Sequence, residues 1–167
     1  MKRPLVMFML AATVVAVAAA GQAQSRADRT GFPGTQPSAT PAGQVTLYGH
    51  IAALRRVGGR VELRFDPAWL TKGLTARRAS GLSTVPNDNY VVEGGHRLLT
   101  YIVSPVARIT VLTNPGSGPV STPVRLAELM RIVNGGPHRK LFEPLSSGVW
   151  IRVNVDTIRG IEQQYQP

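Results

Sequence analysis

Residues 60–66, Arg-Val-Glu-Leu-Arg-Phe-Asp, alternate without a slip: Val61, Leu63 and Phe65 point one way, and Arg60, Glu62, Arg64 and Asp66 the other. A period of two belongs to a strand with one buried face, and a helix cannot use it. Gly58-Gly59 stands just before this run. Two glycines there supply the positive-φ positions of a tight hairpin turn. Upstream, Val45, Leu47, Gly49 and Ile51 alternate with Thr46, Tyr48 and His50, and the strand continues through Leu54 to Val57. Gly49 inside it signals a bulge or bend. A lone hairpin cannot bury its apolar face, so the rest of the chain must wrap a sheet over this one.

The remaining segments supply that sheet. Asp66 and Pro67 read as the N-cap and first position of a short helical turn through Trp69 and Leu70. Thr75 to Ala79 fit a further helical turn, and Pro86-Asn87-Asp88 marks a turn. Tyr90 to Val92 and Arg97 to Val103 are expected to pair across Glu93-Gly94-Gly95. Pro105 interrupts the second of these, and Arg108 to Leu112 resumes it. One clear helix follows, with Thr122 as cap, Pro123 at its first position and Gly135 at its end. Leu126, Leu129, Met130 and Val133 form its apolar stripe, and Glu128 is three residues from both Arg125 and Arg131. Val149, Ile151, Val153 and Val155 then alternate with Trp150, Arg152, Asn154 and Asp156, and a last strand runs from about Thr157 to Tyr165. The order β-β-insertion-β-α-β-β predicts a mainly β, β-rich α+β fold. It fits a small Greek-key, OB-like barrel with one amphipathic helix between the third and fourth barrel strands.

The N-terminal end carries an address. Lys2 and Arg3 precede an uncharged apolar run from Leu5 to Ala20, and Gly21-Gln22-Ala23 places small residues before a cut at Gln24. That is the layout of a secretory signal, residues 1–23. The apolar run is shorter than a bilayer requires, so no integral membrane span is expected after cleavage. The expected location is the periplasm or the medium. Residues 24–43, rich in Pro, Gly, Ser, Thr and Ala, read as a flexible linker. Residues 44–167 form the domain. The chain has no cysteine. Disulfides, thiolate metal sites, a cysteine nucleophile and a lipid-bearing N-terminal cysteine are therefore excluded, and stability must come from an ordinary core.

Four segments carry a resemblance: Tyr48-Gly49 at a strand start, Leu63 to Trp69 (Leu-Arg-Phe-Asp-Pro-Ala-Trp), Val85 to Asp88 (Val-Pro-Asn-Asp), and the closing Gln163 to Pro167 (Gln-Gln-Tyr-Gln-Pro). Over most of the domain the chain resembles uncharacterised exported bacterial domains of about this length. The resemblance implies export and carries no activity.

The net charge is +10, with only Lys2, Lys72 and Lys140 as lysines and the arginines scattered singly or in pairs. Such a surplus attracts anionic partners, but no block of five or six like charges marks a dedicated tail. His50, His96 and His138 are each more than 40 residues apart, with no metal-ligand spacing. There is no Gly-x-Ser-x-Gly elbow, and Gly58-Gly59 and Gly94-Gly95 sit in hairpin turns rather than before helices. No cofactor or metal is expected. The reading favours a non-enzymatic binding or accessory module of the cell envelope, with an anionic polymer or another envelope protein as partner. A polymer (nucleic acid or acidic polysaccharide) would use arginines with Tyr48, Trp150 and Arg152, since single-strand binders stack bases on aromatics beside basic groups. The loops offer Asp88, His96, His138, Lys140 and Glu143 as further candidates, because loops on a rigid barrel carry function. A small hydrolase or lyase would need these acids and histidines to share one cleft.

Overall fold

Two 13-residue strands, β1 (Val45–Val57) and β2 (Arg60–Lys72), form the long hairpin that the alternation demands. Gly58 and Gly59 turn it with φ of 53° and 81°. The computed structural model describes residues 36–95 and 97–166, so the expected signal with its cut before Gln24, and His96, lie outside the described residues. The first half of β2, Val61–Phe65, pairs with β4 (Leu99–Thr113). β4 runs parallel to β7 (Thr157–Gln163), β7 antiparallel to β6 (Val149–Asn154), and β6 antiparallel to β1. These five strands close a barrel. Two short strands extend it: β3 (Asn89–Glu93) on the second half of β2, and β5 (Val120–Val124) on the second half of β4.

Periodicity explains the core. Val61, Leu63 and Phe65 from β2, Val149, Ile151 and Val153 from β6, and Ile158 and Ile161 from β7 are all buried together. Helix α2 (Leu126–Val133) lies between the third and fourth barrel strands. It buries Leu129 and packs Leu126, Met130 and Val133 against the same cluster. Helix α1 (Gly73–Ser80) belongs to the insertion before β3 and buries Ala76.

The structure departs from the sequence expectations wherever strand pairing overrides a local signal. Asp66-Pro67 starts no helix: β2 continues to Lys72, with Asp66 opposite His50 and Pro67 opposite Gly49. Trp69 to Lys72 gain β3 as a partner, and the helix waits until Gly73. Tyr90 to Val92 therefore pair with β2 and not with Arg97 to Val103. Thr122 and Pro123 lie in β5 opposite Val111 and Thr110, and α2 starts at Leu126 with Arg125 as its N-cap residue. A proline is tolerated there because β5 is an edge strand. Pro105 does not end its strand either. It sits in a bulge of β4, where the register jumps from Val103–Ile158 to Arg108–Gly160. Val155, expected inside, is outside: Asn154 pairs with Thr157, so Val155-Asp156 must make the turn. Glu128 takes neither neighbour on its helix as its main partner; both its oxygens accept hydrogen bonds from Arg139.

Candidate functional site

Tyr48 and Trp150 face each other across β1 and β6, with ring centres 5.0 Å apart and planes tilted by 56°. Tyr48 is only 4% exposed. Its hydroxyl donates to the Ser147 carbonyl at 2.9 Å and accepts from Gln166 Nε2 at 3.0 Å. Burial pushes the phenol up to about 12, Glu93 and Glu143 add to the rise, and the Gln166 hydrogen bond opposes it. Gly148, at φ 106°, makes room for this ring: a Cβ there would lie 2.7 Å from Tyr48 Cζ. The Trp150 indole donates to Gln164 Oε1. Arg152, farther along the same strand face, pairs with Glu162 and lies over Gly160, where a Cβ would meet the guanidinium carbon at 2.8 Å. Glu162 also accepts the Ser38 N–H at 2.9 Å. Tyr48, Trp150 and Arg152 thus form a covered wall whose polar atoms bind other parts of the chain. A base stacking on Tyr48 would have to displace that cover.

The C-terminal segment supplies much of it. Gln163, 2% exposed, accepts the Leu112 N–H at 2.8 Å and donates to the Glu143 carbonyl at 2.9 Å. The Gln164 N–H reaches the Gly148 carbonyl at 3.0 Å, and the Gln166 N–H reaches Glu143 Oε1 at 3.2 Å. Tyr165 packs on Phe142 with ring centres 5.8 Å apart. The closing Gln-Gln-Tyr-Gln is a strap that fixes the loop before β6 against the barrel. The sequence exposed this motif without revealing its use.

Three of the loop candidates meet in one cleft at the C-terminal end of α2. His138, Lys140 and Glu143 line a space of about 740 Å³ with His50 and Phe142, and Ile132 and Val133 are part of its apolar wall. His50 Nε2 is 3.0 Å from Glu93 Oε1, and His138 Nδ1 is 2.6 Å from the Arg139 carbonyl. Asp88 stays apart, beside Arg77 at 3.7 Å in the insertion. His96 is outside the described residues. Among the described residues no three His, Asp or Glu side chains are grouped as metal ligands would be.

Burial raises the Glu143 carboxyl, against the lowering effect of the Gln166 N–H and the Ser147 hydroxyl. A carboxyl with a raised value binds its proton more tightly in the folded state. Stability therefore falls as pH rises from the ordinary carboxylate range through that raised value, and the loss is absent below the ordinary range. Glu143→Gln keeps an acceptor for Gln166 without the charge. The variant is expected to melt above the parent at neutral pH and together with it near about pH 3. A lower melting temperature at neutral pH would show the charged form to be stabilising.

A second cleft, of about 870 Å³, opens at the other end of α2. Arg56 from β1, Arg60 from β2 and Arg125 before α2 rim it, and Val61, Val103 and Leu126 give it apolar walls. No acidic side chain lines it. Among the described residues none of the three arginines has a carboxylate within ion-pair reach, whereas Arg77, Arg139 and Arg152 do. The N-terminus of α2 adds its own partial positive charge. Sequence reasoning missed this site because Arg125 lies far along the chain from Arg56 and Arg60; only the packing of α2 against the first hairpin joins them. No family model, curated protein or solved structure matches the chain.

Proposed function

We propose that the protein is an exported, non-enzymatic binding module of the bacterial cell envelope that takes anionic partners at the Arg56–Arg60–Arg125 cleft. The observation that carries this reading is the segregation of charge. Asp88, Glu128 and Glu162 are paired with arginines elsewhere, and Glu93 with His50, while the cleft keeps three guanidinium groups and no acid. Unpaired like charges around a concave apolar surface focus a positive field. Strand order supports the same reading. The pairing 1-2-3-5-4-1 with a helix after the third barrel strand fits an OB-like barrel. Such barrels bind oligonucleotides and oligosaccharides beside the turns that join strands one to two and four to five. Gly59 and Thr157, at those two turns, both line this cleft.

Titration against heparin at several salt concentrations tests the proposal. Charge reversal of Arg56, Arg60 and Arg125 together is expected to weaken binding by about tenfold more than reversal of Arg64, Arg78 and Arg159. It should also flatten the salt dependence by about two to three contacts. Equal losses from the two triples would reduce the attraction to diffuse charge and overturn the site.

A second reading, hydrolysis or elimination, is favoured by one observation: His50, His138 and Glu143 line a common cleft, and burial raises the Glu143 acid. It ranks second because Glu143 is held by Gln166 and His50 by Glu93. A general acid or base must have its proton free for a substrate.

A further inference from the structure

We infer that the anionic partner of this cleft is a lipid surface, and that the barrel docks on it by the end that carries Val57, Val106 and Val155. The inference rests on the anion-binding reading above and adds a second observation, which charge alone does not explain. These three valines are 48%, 81% and 93% exposed. Each adjoins the cleft. Val57 lies between Arg56 and the Gly58-Gly59 turn, Val106 lies on the β4 bulge and lines the cleft itself, and Val155 precedes Asp156 and Thr157 in the β6–β7 turn. The Ile102 N–H, on a cleft-lining residue, donates to the Asp156 carbonyl at 3.0 Å and ties that turn to β4. Asp156 is the acid of this turn, and its carboxylate accepts from the Thr157 hydroxyl at 3.0 Å.

Val155 is the telling residue. Its φ is 57°, in the left-handed region that a β-branched side chain disfavours. Strain of that kind persists when something offsets it. Here the side chain stands almost wholly in water and gains nothing from the fold. Glycine or asparagine would make the same turn without strain. Burial in hydrocarbon would give the valine what the fold does not. Three apolar tips around an arginine-rimmed, apolar-walled cleft match an anionic headgroup layer above acyl chains. A soluble anionic polymer would engage the arginines and leave Val57 and Val155 wet.

Co-sedimentation with vesicles tests this, using the protein recovered from expressing cells. Phosphatidylglycerol vesicles are compared with phosphatidylcholine vesicles at low and high salt, and heparin serves as the soluble control. Val57 and Val155, which do not line the cleft, are changed together to Ser, and Val155→Ser is made alone because that side chain is 93% exposed. The parent is expected to bind the anionic vesicles, to retain part of that binding at high salt, and to bind the neutral vesicles at least tenfold more weakly. The double variant should lose at least tenfold in vesicle affinity with heparin binding unchanged, and Val155→Ser should lose part of the same affinity. Vesicle binding that ignores the valines, or disappears with salt as heparin binding does, would overturn the lipid inference and leave the anion site standing. Unchanged heparin binding after charge reversal of Arg56, Arg60 and Arg125 would instead remove the site on which it rests.

Discussion

Phe65→Ala is expected to lower stability by about 3–5 kcal/mol, the range for removing a large buried side chain and leaving its cavity. Phe65 is fully buried among Leu63, Ile151 and the other core residues, and its ring meets Tyr101 edge-on at 6.4 Å. Its place on β2, opposite Ile51 on one side and Leu99 on the other, leaves little freedom to collapse the hole. Arg64, the next residue, points out of the barrel and forms no ion pair among the described residues. Arg64→Ala should therefore stay within about 0.5 kcal/mol of the parent. Urea denaturation of both variants checks the pair. Similar midpoints for the two would mean that β2 sits one residue out of the assigned register, since such a slip exchanges every inward and outward side chain.

The barrel was legible because its inner face is written in a period of two. Val61, Leu63 and Phe65, then Val149, Ile151 and Val153, need no knowledge of their partners to be placed inside. The local signals that mislead belong to elements whose structure depends on a distant partner. Asp66-Pro67 has the form of a helix start, yet Gly49 and β3 hold it in a strand. Thr122-Pro123 has the same form, yet the edge of β4 takes it. Val155 follows the alternation of β6 and fails only because the chain must turn there to bring Thr157 opposite Asn154.

Functional residues divide in the same way. His138, Lys140 and Glu143 lie within one loop, so their meeting in a cleft follows from local chain geometry. His50 joins them from β1, far away along the chain, and only the folded barrel brings it there. Arg56, Arg60 and Arg125 carried no motif at all. Isolated arginines gain meaning from where the acids are, and the pairing of Glu128 with Arg139 or Glu162 with Arg152 is a tertiary fact.

Gly49→Ala should be at least as damaging as Phe65→Ala, although it adds a single methyl group. A glycine within a strand pattern marks either a bulge or a close backbone approach. The register irregularity of β1 lies between Ile51 and Ala53, so Gly49 is the second kind. A Cβ there would stand 2.8 Å from Phe65 Cζ and 2.9 Å from Pro67 Cα, and closer still to the Asp66 carbonyl oxygen. Overpacking that side chains can absorb costs about 1–3 kcal/mol. Two of these three obstacles are backbone atoms of the paired strand, which can yield only if the β1–β2 hairpin opens. A loss of about 4 kcal/mol or more is therefore expected. The double variant Gly49→Ala with Phe65→Leu separates the obstacles, since the smaller side chain relieves the ring contact and leaves the backbone ones in place. It should recover little of the loss in a thermal or urea melt, beyond what Phe65→Leu alone removes. Substantial recovery would assign the constraint to the Phe65 ring. A Gly49→Ala protein that melts with the parent would show that the hairpin spreads at no cost, and that the barrel is looser at Pro67 than its strand pairing implies.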